Sequence, residues 1–579
     1  MRALLLASVL VAGCRSAEPR AAGRVSALAS GLDAKDAAAR ASAAFALGQL
    51  AMGDAPSEET PQKKSVREAA TAALIPAASD PDAEVRRAAV EALGKSGAAD
   101  AEDALLSAAT DSGPGVRGAT ALALFRRRFL KRVPDYSTAA FTALDMLSSD
   151  PDPEVRWRAV YGFTRFAEPR AKETLVKSQK DGDARVRLFA ARALGKLGAR
   201  PDYELFSDPD QYVRAEAVTA CGLAKGACEV PVAAFTDKSA HVRAAAADAA
   251  GGYALPLVEK MAESDTAMPR GRALLAVAKG RGEAAASLLA RARADSDWWV
   301  RSKAYEASAG LTGGADILRA GVKDADARVA SSALETLAAS SAPFVDEVLT
   351  GVLRDPRAPL ELLGTAADAA GERKSAALAD PLFEAARRSA ALPAEVRDGM
   401  RKSLEAIAGA NPSRKASIEA GLKALPAPKD AAKVFPRLST APTLVLDTMK
   451  GRVELKLDTA AAPNTSAAIA AMAKKGLYDG LIWHRVVTAF VVQGGDPRGS
   501  GWGDAGYRLD DELSSVPFLR GTLGMPKAGP DTGGCQLFVS LVPTPHLDGR
   551  YTAFGKVTAG MEVLDQLEPG DRILKAFLK

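Results

Sequence analysis

Residues 150–163 read Asp-Pro-Asp-Pro-Glu-Val-Arg-Trp-Arg-Ala-Val-Tyr-Gly-Phe, a phrase that contains the signals to start one short helix and to give it an apolar face. Asp152 can accept hydrogen bonds from the free N–H groups of the first helical turn. Pro153 suits the first helical position, where its missing donor costs nothing, and Glu154 complements the positive end of the helix dipole. Apolar side chains then recur at four-residue steps along one face, at Val155, Ala159 and Phe163.

The phrase returns many times along the chain. Copies begin at Asp80, Asp150, Asp181, Asp208, Asp237, Asp295 and Asp324. The aligned valines are 31, 27 and 29 residues apart, at Val155, Val186, Val213 and Val242. A period of about 30 residues predicts a solenoid, in which each unit buries its apolar stripe only by stacking on its neighbours. Glycines such as Gly94 and Gly195 are expected to end helices in a left-handed turn.

These units resemble HEAT repeats, in the short form also seen in phycobilisome-lyase-like proteins. The resemblance covers residues 30–410 and implies an all-α superhelix that binds a protein partner on its concave face. Residues 14–29 precede it and are interpreted as an N-terminal tether. Residues 411–440 lose the period and contain Pro, Lys and small residues, which predicts a capping helix and a linker.

An arginine follows the valine in most copies, at Arg86, Arg156, Arg187, Arg214, Arg243 and Arg301. These arginines could form a ligand-binding ladder, or each could pair with an aspartate of the same or the next turn. We favour the second interpretation, because the arginine travels with the phrase that starts the helix. His241 is the only histidine of the repeat region, and it occupies a variable position that we expect to be exposed.

From Thr443 the apolar period changes to two. Residues 443–447 and 452–457 alternate apolar and polar side chains around Met449-Lys450-Gly451, which predicts a β-hairpin. Residues 464–475 read as an Ala-rich helix, and several strands bounded by glycine follow. We therefore expect a second domain over residues 441–579, a closed β-barrel with two helices.

Three ordered motifs lie in this second domain. The first reads Ile-Trp-His-Arg-Val-Val at 482–487 and Phe-Val-Val-Gln-Gly-Gly-Asp at 490–496. The others read Gly-Gly-Cys-Gln-Leu-Phe at 533–538 and His-Leu-Asp-Gly-Arg-Tyr-Thr-Ala-Phe-Gly at 546–555. Together they resemble the cyclophilin signature, F-H-R-x-x-x-x-F-x-x-Q-G-G-D, G-S-Q-F-F and L-D-G-x-x-x-x-F-G. The resemblance implies a cyclophilin-like barrel with peptidyl-prolyl cis-trans isomerase activity.

The resemblance assigns the catalytic roles to Arg485, Phe490 and Gln493. Arg485 would direct a fixed positive charge at the proline nitrogen of a twisted amide, which favours that state alone. Phe490 would form the floor of an apolar proline pocket, and Gln493 would hold a substrate carbonyl and orient Arg485. The residues implied to bind the peptide are Val487, Val491, Pro526, Lys527, Ala528, Gln536, Phe538, His546, Leu547 and Tyr551. This chemistry requires no cofactor and no metal.

Other polar residues of the motifs are given structural roles. His484 is expected to pack rather than to transfer protons, and Asp496 and Asp548 to fix loops. The chain departs from the family pattern at several positions, among them Trp483, Pro526-Lys527, Cys535 and His546. These departures keep open a second hypothesis, a non-catalytic lipid-anchored scaffold that uses the domain to grip proline-containing segments.

The amino terminus resembles a bacterial lipoprotein signal. Arg2 is followed by a short apolar run that ends in Val11-Ala12-Gly13-Cys14. The pattern implies removal of residues 1–13 and lipidation of Cys14. We therefore expect a lipid-anchored protein of the cell envelope that faces the periplasm. Arg15 is not the aspartate that commonly retains lipoproteins in the inner membrane, which favours the outer one.

Cys221 and Cys228 flank a helix–helix turn and could form a disulfide in an oxidising compartment, or pack as two small buried residues. The formal charge is only +5, from 76 basic and 71 acidic residues. That balance shows no electrostatic footprint of a nucleic-acid-binding protein, so we expect no nucleic acid as a partner. The cyclophilin resemblance implies proline-containing polypeptides as substrates.

Overall fold

The computed structural model describes residues 19–52, 60–388, 392–425 and 432–579, and the chain divides into two compact units. The first unit contains the residues up to Val230 together with Glu512–Leu519 and Val542–Thr552. The second contains Pro231–Asp511, Arg520–Leu541 and Ala553–Lys579. The predicted signal peptide and Cys14 lie outside the described residues. Across these described ranges, no helix combines the length and the apolar character needed to span a membrane.

The first unit is built from pairs of antiparallel helices. Its helices are α1 (Pro19–Gly31), α2 (Ala37–Met52), α3 (Pro61–Ala77), α4 (Ala83–Leu93), α5 (Ala99–Ala108), α6 (Pro114–Phe129), α7 (Thr138–Leu147), α8 (Pro153–Tyr161), α9 (Lys172–Ser178), α10 (Ala184–Lys196) and α11 (Gln211–Leu223). Because α1 begins at Pro19 and packs on α2, most of the segment predicted as a tether is helical.

The second unit continues the helix pairs. Its helices before the sheet are α12 (Ala240–Asp248), α13 (Leu255–Ser264), α14 (Ala267–Arg281), α15 (Ala286–Ala292), α16 (Trp298–Ser308), α17 (Gly314–Gly321), α18 (Ala327–Ala338), α19 (Val345–Arg354), α20 (Leu360–Arg373), α21 (Ala379–Arg388), α22 (Ala394–Ala410) and α23 (Pro412–Ala424). The last of these lies in the segment predicted to hold a capping helix, and it packs on α22.

The phrase around Asp152 folds as its residues predict. The Asp152 carboxylate accepts a hydrogen bond from the backbone N–H of Glu154 at 2.7 Å, and Pro153 is the first residue of α8. The predicted apolar face is buried, with relative exposures of 0%, 0% and 1% for Val155, Ala159 and Phe163.

The expected left-handed turns at the repeat glycines are wrong. Gly94 ends α4 with a right-handed φ of −59°, and Gly195 lies inside α10. These positions favour glycine for another reason, since a Cβ atom on Gly94 would lie 2.6 Å from the Cα of Ala123 in the next repeat. Glycine here permits the close approach of neighbouring helices.

The recurring arginines brace adjacent repeats, as predicted. Arg156 makes two hydrogen bonds to Asp181 of the next repeat, at 2.7 and 2.9 Å, and it also donates to the backbone carbonyls of Asp150 and Pro151. The same bond to the first aspartate of the next phrase recurs at Arg86–Asp111, Arg117–Asp150, Arg187–Asp208, Arg243–Asp265 and Arg301–Asp324. Between α11 and the following turn, Cys221 and Cys228 form a disulfide.

The second unit also contains an eight-stranded antiparallel sheet, of strand order β3-β4-β6-β5-β7-β2-β1-β8. Its elements are β1 (Thr443–Thr448), β2 (Gly451–Leu457), α24 (Pro463–Lys474), β3 (Trp483–Val487), β4 (Val491–Gly494), β5 (Thr522–Gly524), β6 (Leu537–Ser540), β7 (Ala553–Ala559), the single turn α25 (Met561–Leu564) and β8 (Ile573–Leu578). The two edge strands are β3 and β8, and the sheet curls so that backbone hydrogen bonds connect these two edges. One example is the bond from the Gly480 N–H, just before β3, to the carbonyl of Ile573 in β8, at 2.7 Å. This is the predicted barrel with two helices.

Several helices of the second unit, each the first helix of its repeat, form hydrogen bonds with the sheet domain. Examples are His241 with Thr488 (3.0 Å), the Met268 N–H with Glu568 (2.9 Å), Glu361 with Ser500 (3.1 Å) and Asp398 with Arg508 (3.0 Å). The expectation that His241 is exposed is therefore wrong, because its side chain is 1% exposed in this interface. The partner of these helices is the chain's own barrel domain.

Candidate functional site

The β3–β4 hairpin places Arg485 directly opposite Gln493 in the antiparallel register. Gln493 in turn lies opposite Phe538 on β6. Residues directly opposite one another on neighbouring strands project their side chains to the same face of the sheet. The turn between the strands passes through Ala489, which has a φ of 51°, and leads into Phe490. Arg485, Gln493 and Phe538 therefore form a row of side chains across three strands.

A chain of hydrogen bonds connects the polar members of this row. The Arg485 guanidinium donates to the Gln493 Oε1 atom at 3.4 Å, and Gln493 Nε2 donates to Gln536 Oε1 at 2.9 Å. Gln536 Nε2 then donates to the backbone carbonyls of Gly501 at 2.9 Å and Gly503 at 3.1 Å. Because each amide donates at one end and accepts at the other, the orientations of Gln493 and Gln536 are set along the chain of bonds.

Apolar side chains lie beside this polar row. Val491 and Phe538 are buried, and Val487 and Phe490 are partly exposed. The Arg485 guanidinium carbon lies 5.8 Å from the centre of the Phe490 ring. Arg485 itself is exposed on this face. The arrangement offers a permanent cation next to an aromatic surface, which suits a polar group attached to an apolar ring.

The segment after β5 holds Pro526, Lys527 and Ala528. The Lys527 ammonium pairs with Asp511 at 2.5 Å, and the Ala528 N–H donates to the Thr532 hydroxyl at 3.1 Å. The Ala528 N–H, a backbone group of the segment predicted to contact a peptide, is thus already engaged within the protein.

The remaining predicted residues, His546, Leu547 and Tyr551, belong to the first unit. His546 and Leu547 end the 3₁₀ turn Pro545–Leu547, and Leu547 is buried. The Tyr161 hydroxyl of α8 lies 2.8 Å from His546 Nδ1, and the Phe129 ring packs edge-on against the imidazole. Burial, followed by nearby arginines, lowers the pKa of His546 to about 3. This histidine is therefore neutral at physiological pH.

The motif carboxylates fix loops, as expected. Asp548 accepts from the Phe518 N–H at 2.7 Å and faces Arg126 at 3.8 Å, and burial raises its pKa to about 7. Asp496 is fully buried and accepts from the backbone N–H groups of Arg498 and Ser500, both at 2.8 Å. Over the described part of the chain, no three His, Cys, Asp or Glu residues cluster as a metal site.

His484 is packed in the interior of its domain. It is 8% exposed, and among the described residues neither ring nitrogen has a hydrogen-bond partner. Burial lowers its pKa to about 4, an effect that the nearby Asp496 partly offsets.

The sequence interpretation missed the loop at residues 496–508, which supplies the carbonyls that hold Gln536. Its signal was the density of glycines at 499, 501, 503 and 506. A Cβ atom on Gly503 would lie 1.8 Å from the Asp496 carboxylate, so this close approach admits glycine alone.

Two known families match parts of this chain. The family model described as cyclophilin type peptidyl-prolyl cis-trans isomerase matches residues 443–576, and that of HEAT repeats matches 25–125 and 142–205. A peptidyl-prolyl cis-trans isomerase of Synechococcus elongatus is 44% identical over 132 residues, 22% of this chain and 91% of that protein. Peptidyl-prolyl cis-trans isomerase B of Bacillus subtilis is 45% identical over 122 residues, 21% of this chain and 85% of that protein.

A Cryptosporidium parvum cyclophilin type peptidyl-prolyl cis-trans isomerase is 28% identical, and the match covers 24% of this chain and 98% of that one with a TM-score of 0.23.

Proposed function

The chain belongs, through its carboxy-terminal domain, to the cyclophilin-type peptidyl-prolyl cis-trans isomerases, and we propose that Arg485 stabilises the twisted X-Pro amide of its substrates. The observation that carries this proposal is the hydrogen-bonded row Arg485–Gln493–Gln536 beside Phe490.

The reaction needs no nucleophile. A peptide bond resists rotation by about 18–20 kcal/mol, because the nitrogen lone pair is shared with the carbonyl. At 90° of twist the proline nitrogen regains that lone pair and can accept a hydrogen bond. A donor aimed at the nitrogen therefore binds the twisted state more strongly than either planar isomer, which lowers the barrier. A guanidinium suits this role, because it remains charged and offers a rigid fork of donors.

The other residues follow from this role. Phe490 would support the proline ring, with Val491 and Phe538 as apolar walls. Gln493 would hold a substrate carbonyl while its Oε1 atom keeps the Arg485 guanidinium in place. Gln536 would contact the extended peptide.

A protease-coupled proline-peptide assay tests the proposal. We expect Arg485→Ala to lower kcat/KM about a hundredfold, or ~2.7 kcal/mol of transition-state stabilisation, as for the loss of one aimed donor. Arg452→Ala is the matched control, because Arg452 is an exposed arginine on β2 that pairs with Asp447. Equal activity of wild type and Arg485→Ala would refute the role of this residue.

A binding module without turnover is the second candidate function. It is favoured by the engaged Ala528 N–H, because backbone groups beside Lys527 were expected to contact the peptide. This candidate requires measurable affinity for proline peptides with negligible isomerisation, so the same assay combined with a peptide titration separates the two.

We also propose that the protein acts in the bacterial envelope, anchored through lipid on Cys14 and facing the periplasm, on proline-containing exported chains that the HEAT array helps to recruit. The Cys221–Cys228 disulfide supports an oxidising compartment. Labelling with a palmitate analogue followed by membrane fractionation tests the anchor, using Cys14→Ala as the control. Label that persists in this variant would refute lipidation at Cys14.

A further inference from the structure

The loop at residues 496–508 controls the far end of the Arg485 row. Its Gly501 and Gly503 carbonyls are the acceptors for Gln536, at 2.9 and 3.1 Å. A shift of these carbonyls would turn the Gln536 amide and, through Gln493, the Arg485 guanidinium. The loop is thus the support on which the aim of Arg485 depends.

The barrel domain holds the base of this loop by itself. The buried Asp496 carboxylate accepts from the N–H groups of Arg498, Ser500 and Gly501. These bonds set the curvature of the turn.

The repeat array also holds this loop. Glu361, in the first turn of α20, is only 3% exposed, and its Oε1 atom accepts from the Ser500 hydroxyl at 3.1 Å and from Arg498 at 3.4 Å. One helical turn later, the Trp502 ring packs against Gly364. A Cβ atom on Gly364 would lie only 2.8 Å from this ring. One helix of the array thus contacts the residues on both sides of Gly501.

We propose that Glu361 and Gly364 of the HEAT array are positioning residues of the isomerase site, acting through the 500–503 loop on Gln536, Gln493 and Arg485. The inference rests on the proposed role of Arg485 and deepens it. Neither residue need touch substrate. The array would then be a working part of the site in addition to any recruiting role.

Full-length variants test the proposal in the proline-peptide assay. Glu361→Ala removes the acceptor for Ser500, and we expect kcat/KM to fall about tenfold, mainly through kcat, because the aim of Arg485 matters most in the twisted state. Glu361→Gln keeps an acceptor oxygen and should recover most of the activity. Glu372→Ala removes an exposed carboxylate of the same helix and should leave activity unchanged.

Coupling to Arg485 distinguishes positioning from a general loss of structure. In an Arg485→Ala background, Glu361→Ala should cause little further loss, because the residue through which it acts is gone. A full additional tenfold loss there, or wild-type activity of Glu361→Ala alone, would overturn the proposal.

Gly364→Ala perturbs the loop at Trp502, whose ring packs against Gly364. Alanine favours helix over glycine, so weakened activity cannot be attributed to a weaker helix. Gly351→Ala on α19 is the control, since nothing lies within 4 Å of a Cβ atom there. We expect a three- to tenfold loss for Gly364→Ala and none for Gly351→Ala; equal activities would count against the proposal.

Titration with an Ala-Pro-containing peptide separates this proposal from the proposed function. If the wild-type chain binds the peptide but does not isomerise it, the proposed isomerase role is wrong. The affinity for the peptide can still be used to measure the state of the binding site. Weaker binding by Glu361→Ala and Gly364→Ala than by their controls would then sustain the positioning role, and unchanged binding would refute it.

Discussion

Replacement of the buried His484 by phenylalanine should make the protein less sensitive to acid. His484 has a pKa of about 4 in the folded chain, against 6.5 for an ordinary histidine. The unfolded chain therefore takes up a proton as the pH falls from 6.5 towards 4, and the folded chain does not. The free energy of unfolding then drops by ~1.4 kcal/mol per pH unit from this residue, reaching ~2 kcal/mol at pH 5.

Phenylalanine removes this titration without breaking a hydrogen bond, because neither His484 ring nitrogen has a partner among the described residues. The assay is urea unfolding at pH 7, 6 and 5, followed by tryptophan fluorescence, since the buried Trp483 adjoins the site. His241 and His546, with pKa values of about 4 and 3, keep their own acid sensitivity in both proteins. The two proteins should therefore diverge by ~2 kcal/mol between pH 7 and pH 5. Parallel stability curves over this range would refute the buried neutral state of His484.

Three further substitutions probe the rest of the molecule. Arg156→Ala should lower the free energy of unfolding by ~1.5–3 kcal/mol, and the urea midpoint with it, because it leaves a carboxylate of the next repeat without its charged partner. An unchanged midpoint would show that Arg156 does not brace the repeats. Gly94→Ala should destabilise by ~1–3 kcal/mol, since the new methyl meets the Ala123 backbone, and a gain in thermal midpoint would contradict this packing. Tyr161→Phe removes the hydroxyl that bonds His546 and should lower the free energy of unfolding by ~1 kcal/mol; an unchanged urea midpoint would show that this bond does not stabilise the protein.

The sequence predicted what depends on local chemistry or on regular spacing. The cap at Asp152, the buried stripe of α8 and the bracing arginines all follow from short-range rules that repeat every unit. The proximity of Arg485 and Gln493 was implied by the family resemblance alone, and the register of the β3–β4 hairpin accounts for it. The left-handed turns at the repeat glycines were predicted wrongly. Gly94 is required because the backbone of Ala123 in the next repeat lies against it, and no local sequence pattern reveals that contact.

Contacts between the array and the barrel could not be predicted for the same reason. His241 looked exposed because its repeat position varies, yet its neighbour Thr488 is 247 residues away in sequence. Glu361 gave no signal either, since a glutamate in the first turn of a helix is adequately explained by the helix dipole. Its role emerges only when Ser500 and Arg498 are placed against it.

These contacts bear on what the array can bind. In the second unit, His241 and Glu361 are buried side chains on repeat-opening helices, and both bond to the barrel domain of the same chain. A foreign protein that used these residues would first have to break those bonds, at a cost of about 1–3 kcal/mol for each buried polar group left unsatisfied. It would also release the 500–503 loop from α20 and so disturb the support of Arg485. A partner that leaves the isomerase site intact should therefore bind other surfaces of the array, whereas one that competes for these helices would act as an inhibitor.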